Sequence, residues 1–342
     1  LKKCLLNYSI IPEYTRFVCI YLHVIYTMNR MENISFETTF HKSPIILTEG
    51  AIVERLRREY NIPLDEQIVH AGLIYNDTYR EVLADIYKQY LDIAEAFQLP
   101  IMLMTPTRRV NKERVLRSAF SDKDIIADNV TFLSELKSGY TTSVYVGGLV
   151  GCRGDAYAPS ESLSIDEAIE FHLPHLEAFK KAGADYLFAG IMPALPEAIG
   201  MAKAMETTEL PYIISFMIRK NGTLLDGTSI HKAIEVIDAS TEIHPLCYTV
   251  NCVHPDNLHQ ALSVAENNTP LVRSRFMGIQ ANASSLSPEE LNECNCLKSS
   301  SDIELANSMI ALNKDFPLKI VGGCCGTDNT HLKRFAEIFT IK

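Results

Sequence analysis

The chain has 342 residues, is 47% hydrophobic and carries a formal net charge of −10 at pH 7. That is enough material for one barrel-sized core, and the acidic balance leaves no basic patch of the kind that neutralises nucleic-acid phosphates. Nine cysteines, an odd number without regular spacing, fit thiols kept reduced in a cytoplasmic protein better than a secreted disulfide framework, and neither nucleic acid nor a membrane is expected as a partner.

In chain order, the first segment stands apart. Lys2 and Lys3 precede an apolar run over residues 17–28, but Pro12, Glu13 and Arg16 interrupt the pattern, and the run is shorter than the ~20 residues a membrane span needs. Residues 1–42 are read as an N-terminal extension outside the fold, with Met28 or Met31 as an alternative start. From Ser43 onward, short β-rich runs alternate with longer helical patterns. Strands are predicted at residues 45–48, 101–105, 143–147, 184–189, 212–217, 246–250, 276–280 and 318–321, several of them apolar on successive residues as parallel strands covered on both faces must be. Between them Val82, Leu83, Ile86, Tyr90, Ile93, Ala94 and Phe97 keep the three-and-four spacing of a helix, as do Ala168, Ile169, Leu173, Leu176 and Phe179. Pro196 suits a first helical turn, and Asp302 is expected to cap the helix carrying Ile303, Ala306, Met309 and Ile310. Residues 293–301, with Cys294 and Cys296, read as a polar surface loop. Eight βα units over residues 43–342 predict an α/β fold, a (β/α)8 TIM barrel, with its chemistry on the loops at the C-terminal ends of the strands.

Two of those strand ends carry cysteines. Cys252, in Asn251-Cys252-Val253-His254-Pro255, stands just past the sixth predicted strand, and Gly322-Gly323-Cys324-Cys325-Gly326 follows the eighth. Adjacent cysteines cannot close an unstrained disulfide with each other, but in a glycine-rich turn both thiolates can face one metal ion. Structural zinc takes four protein ligands and catalytic zinc keeps one position free, so three cysteines at the ends of two strands describe an open zinc site. His254 reads as loop surface, Asp226 as part of a Leu-Asp-Gly turn, and His172, His175, Cys152 and Cys247 as packing or surface residues.

On these residues the chain resembles the homocysteine S-methyltransferase family of zinc-binding (β/α)8 barrels, from about residue 45 to the C-terminus. The cysteine turn at 322–326 and the Asn251-Cys252 pair carry the resemblance. Gly147-Gly148, the runs at 171–178 and 182–185, Ser215-Phe216 and the run at 222–228 add to it. The resemblance implies that Cys252, Cys324 and Cys325 hold zinc and activate the thiol of homocysteine, which takes a methyl group from a sulfonium, ammonium or corrinoid donor to give methionine. The partners implied are a small-molecule thiol and a methyl donor, either free, such as S-methylmethionine, or carried by a separate corrinoid protein. Family members usually hold the substrate amino group with carboxylates from an Asp-Gly-Gly turn after strand one and a Phe-Glu-Thr-type segment after strand four. Here those stretches read Thr48-Glu49-Gly50-Ala51 and Ala189-Gly190-Ile191-Met192-Pro193, and Phe97-Gln98-Leu99 replaces a Gly-Ala-Asp before strand two. Glu49 is expected to substitute for the first carboxylate, Gly190 cannot supply the second, and Asn251 is expected to orient substrate or ligand by hydrogen bonds. The alternative is a divergent zinc barrel that acts on another thiol or binds zinc without catalysis.

Overall fold

The computed structural model describes residues 34–286 and 300–340, so the extension before residue 34 and the Cys294/Cys296 loop lie outside the described residues. The chain divides into two units, residues 1–42 and 43–342. Within the first, the described element is helix α1 (Phe36–Lys42).

In the second, eight parallel strands close into a barrel in sequence order. They are β1 (Ile46–Thr48), β2 (Ile101–Met104), β3 (Val144–Gly151), β4 (Tyr186–Met192), β5 (Tyr212–Phe216), β6 (Cys247–Val253), β7 (Phe276–Ala281) and β8 (Ile320–Gly323). Pairing of Ile46 with Ile320 and of Leu47 with Val321 joins β8 to β1 and shuts the ring. The helices are α2 (Val53–Arg58), α3 (Asp77–Phe97), α4 (Lys112–Arg117), α5 (Ile125–Lys137), α6 (Ile165–Ala182), α7 (Leu195–Glu206), α8 (Ile230–Ser240), α9 (Pro255–Ser263), α10 (Pro270–Arg275), α11 (Asp302–Asp315) and α12 (Asn329–Thr340). Among the described residues no helix is long and apolar enough to cross a membrane.

Local chemistry sets the element ends. The Asn76 side chain accepts from Tyr79 N to start α3, and Gln98 in the left-handed region, φ 50°, stops it. Between those ends Leu83, Ile86, Tyr87, Tyr90 and Ala94 turn one buried stripe toward the sheet. α11 begins one residue earlier than expected. Ser301, not Asp302, is the cap: its hydroxyl accepts from Glu304 N and the Glu304 carboxylate accepts from Ser301 N, a reciprocal pair that Asp302 is one position too late to form.

The strands begin within two residues of the predicted starts, but β3, β4 and β6 run on to Gly151, Met192 and Val253, and β8, displaced by two residues, takes in Gly322 and Gly323 instead of ending before them. In β3 the glycines are packing devices and not breakers: a Cβ on Gly147 would lie 2.1 Å from the Tyr186 ring, and one on Gly148 2.5 Å from Phe179. β4 and β6 continue through bulges, where the register shifts between Ala189 and Met192 and between Asn251 and Val253. Ile191 at φ 61° and Cys252 at φ 54° occupy the left-handed region there, a conformation that costs a non-glycine residue about 1–3 kcal/mol. Each bulge re-aims a side chain at the barrel mouth.

Candidate metal centre

Cys252 therefore sits inside β6, on its bulge, and not beyond the strand. Cys324 and Cys325 occupy the turn after β8. That turn is stitched to both neighbouring strands: Gly323 N donates to Glu49 O at 3.1 Å, Cys324 N to Ala281 O at 2.7 Å, and Ala283 N to Cys325 O at 3.0 Å. Thr327 Oγ1 donates to Cys324 O at 2.6 Å, and Gly326 N donates to the Glu54 carboxylate. The two glycines before the cysteines are required by this close approach. A Cβ on Gly322 would fall 1.8 Å from Thr48 Oγ1, and one on Gly323 2.1 Å from Thr327 Oγ1.

The result brings the three expected sulfurs together, with the Sγ atoms of Cys252, Cys324 and Cys325 all within 4.8 Å of one another. Cys252 and Cys324, their Cα atoms 5.4 Å apart, are joined as a disulfide, and Cys325 is a free thiol. Once that bond is reduced, the three thiols fit a single tetrahedral ion, for which Zn–S bonds of about 2.3 Å require sulfurs roughly 3.8 Å apart. Met217 and Leu225 are buried against Cys252, with Tyr157 and Ile191 packed beside them, so one flank of the centre is apolar. Cys325 faces the cavity on the other flank. Desolvation by the protein around it, and then the Glu54 carboxylate, push its thiol up to about 11, a direction that a bound divalent cation would reverse.

That open flank is a cavity of about 330 Å³ whose wall includes Glu49, His70, Arg108, Gly190, Asn251 and Gln280 besides the three cysteines. Both Glu49 carboxylate oxygens accept from Met104 N, at 3.2 and 3.3 Å. Burial outweighs these hydrogen bonds and pushes the Glu49 carboxyl up to about 8, so near neutral pH it is mostly protonated. His70 is held neutral: burial first, then Arg108 and Arg57, push it down to about 3. Asn251 Oδ1 and Gln280 Oε1 are buried without a hydrogen-bond partner among the described residues, while Gln280 Nε2 donates to Thr48 Oγ1 at 3.3 Å.

Glu49 and Asn251 thus meet the cysteines in one wall. Asp226 does not line that wall: it accepts from Leu195 N at 2.7 Å and Thr228 N at 2.9 Å, which fixes the turn before α8 and the start of α7. His254 accepts from Asp256 N at 3.2 Å at the start of α9. Sequence reading missed Gln280 and Arg108. The signals were a lone amide in an otherwise apolar strand and two arginines directly after β2, on the catalytic side of a barrel.

Comparison with known proteins agrees with this architecture. The model of the homocysteine S-methyltransferase family matches residues 46–339. Homocysteine S-methyltransferase YbgG of Bacillus subtilis (strain 168) is 23% identical over 307 residues, covering 86% of this chain and 94% of the relative. The homocysteine methyltransferase MmuM from Escherichia coli shares the fold at 18% identity. Its metallated form gives a TM-score of 0.69 over 87% of this chain and 97% of that one, and its oxidized form 0.71 over 90% and 100%.

Proposed function

Since the chain belongs to the homocysteine S-methyltransferase family, an enzyme family of the methyltransferase class, we propose that it moves a methyl group from a sulfonium, ammonium or corrinoid donor to homocysteine, giving methionine, at a zinc centre formed by Cys252, Cys324 and Cys325. The observation that carries this reading is the convergence of three cysteine sulfurs within 4.8 Å of one another beside a cavity. Zinc held by these three cysteines would lower the pKa of the acceptor thiol and so supply a thiolate nucleophile at neutral pH.

The protein's own residues do the rest. Backbone hydrogen bonds to β1 and β7 fix the Cys324-Cys325 turn, so the ligands stand in place before substrate arrives. The acceptor enters from the cavity side, because Met217, Leu225 and Tyr157 close the other flank. Its thiol proton leaves to solvent. A sulfur electron pair then forms the new S–CH3 bond while the bond from methyl to the donor breaks, its electron pair staying on the donor atom. Glu49 and Asn251 serve the amino end; an arriving ammonium favours the ionised form of Glu49, which burial alone disfavours. A second reading, a divergent zinc barrel acting on another thiol, is favoured by Gly190 at the place where a second carboxylate is expected.

The test is a donor screen. The reduced, zinc-loaded chain is incubated with homocysteine and S-methylmethionine, a methylated ammonium or methylcobalamin, and methionine is measured by mass spectrometry. Methionine should form with at least one donor and disappear in Cys325→Ala. Failure with all three donors, while homocysteine still perturbs the absorption of the cobalt-substituted chain, would replace the first reading with the second.

A further inference from the structure

The cavity beside the cysteines has an unusual charge balance. Its acids are Glu49 and Glu54, and both are engaged elsewhere: Glu49 accepts from Met104 N, while Glu54 pairs with Arg58 at 3.1 Å and accepts from Gly326 N. Its cations are Arg57, Arg108 and Arg109. Arg108 is half-buried there. Desolvation, the largest influence on it, pulls its pKa down. Among the described residues its guanidinium makes neither an ion pair nor a hydrogen bond. An arginine fork in the wall of a cavity, with neither ion pair nor hydrogen bond among the described residues, is free to take an anion from that cavity.

The backbone around it has been cleared. Gly151 N donates to Arg108 O at 3.0 Å, and a Cβ on Gly151 would lie 2.9 Å from Arg108 Cγ and 2.7 Å from its carbonyl oxygen. Gly151 in turn pairs in register with Gly190. Where the family resemblance leads one to expect an ammonium-binding carboxylate, this wall offers Gly190, and Arg108 adds a guanidinium to the same wall. At that position the wall carries no negative charge, and a positive one stands elsewhere in it.

We propose that Arg108 is a specificity-determining residue that binds the carboxylate of the acceptor, so that the substrates of this enzyme are short mercapto acids in which the amino group is secondary. The planar guanidinium fork matches the two oxygens of a carboxylate. This rests on the reading above that an acceptor thiol enters at the three-cysteine centre.

Calorimetric titration of the reduced, zinc-loaded full chain with three thiols tests it: homocysteine, 4-mercaptobutyrate, which lacks only the amino group, and 3-aminopropane-1-thiol, which lacks only the carboxylate. The first two should bind within about tenfold of each other, and the third about 10- to 100-fold more weakly than homocysteine. Arg108→Gln should erase the advantage of both carboxylate-bearing thiols, Arg108→Lys should restore part of it, and zinc per chain should stay constant in both variants. The proposal is overturned if 3-aminopropane-1-thiol binds as tightly as homocysteine, if Arg108→Gln weakens all three thiols equally, or if that variant loses its zinc, which would make Arg108 the counter-charge of the cysteine thiolates. If no thiol binds the wild-type chain, the thiol-acceptor reading itself falls and takes this proposal with it, an outcome distinct from the others.

Discussion

Glu49 and His70 face the same cavity and respond to pH with opposite sign. A carboxyl whose native pKa is about 8 against an ordinary 4.5 stabilises the fold fully below pH 4.5 and loses that contribution as pH rises through 8, at most ~5 kcal/mol in all. His70, pushed down to about 3 from 6.5, contributes above pH 6.5 and loses its share as pH falls toward 3. Glu49→Gln stays neutral throughout, so in the metal-free protein its melting temperature should gain on wild type between pH 5 and 8.5. Parallel melting profiles for the two proteins would show that the Glu49 carboxyl is ionised in the native state. The cysteines give a second prediction at this scale. Because Cys252 and Cys324 are joined when oxidised, zinc should reach one per chain only with a reductant present, and replacing any of Cys252, Cys324 or Cys325 with Ala should abolish stoichiometric binding. Metal analysis decides this, and full zinc in Cys252→Ala would remove that residue from the ligand set.

Among the elements, the connection from β3 to α6 is held by one buried acid. Glu197, on α7, accepts from Arg153 N at 2.7 Å, from Leu163 N at 3.3 Å and shares a hydrogen bond with His172 Nε2 at 3.0 Å. Removing it strands several buried polar groups at once, so Glu197→Ala should lose about 3–5 kcal/mol in urea unfolding and expose residues 152–163 to protease. A loss under about 1 kcal/mol would mean that water replaces the carboxylate without penalty. This clamp also shows where sequence reading stops. The strands, the helical stripes of α3 and α6 and the three cysteines were legible because apolar periodicity and a rare cysteine spacing are local patterns. The bulges at Ile191 and Cys252 were not, since nothing in either residue announces a positive φ. Ser301 was legible in principle, with Glu304 three positions on, but the acid beside it drew the assignment. Glu197 and Arg108 acquire meaning only from what surrounds them in space, which for Arg108 is Gly151 of β3 and the wall of the cysteine cavity.

For the molecule as a whole, the decisive contact is the seam between β1 and β8. With a hypothetical Gly322 Cβ only 1.8 Å from Thr48 Oγ1 and 2.9 Å from its carbonyl oxygen, Gly322→Ala should push the two strands apart, lower the melting temperature of the entire barrel and abolish zinc uptake together; overpacking of this kind typically costs 1–3 kcal/mol or more. Thr48→Gly in the same chain should recover part of both, and a Gly322→Ala protein with normal melting and normal zinc would show that the seam can widen without loss. The same seam bears on how the protein is made. A ribosome delivers the chain N-terminus first, so seven strands emerge as an open sheet whose two edges, β1 and β7, have nothing to pair with until β8 arrives. Cys252 waits through the 72 residues that separate it from Cys324. On the proposed reading, metal loading is an event of the finished barrel, because a nascent chain halted before β8 carries Cys252 alone of the three proposed ligands.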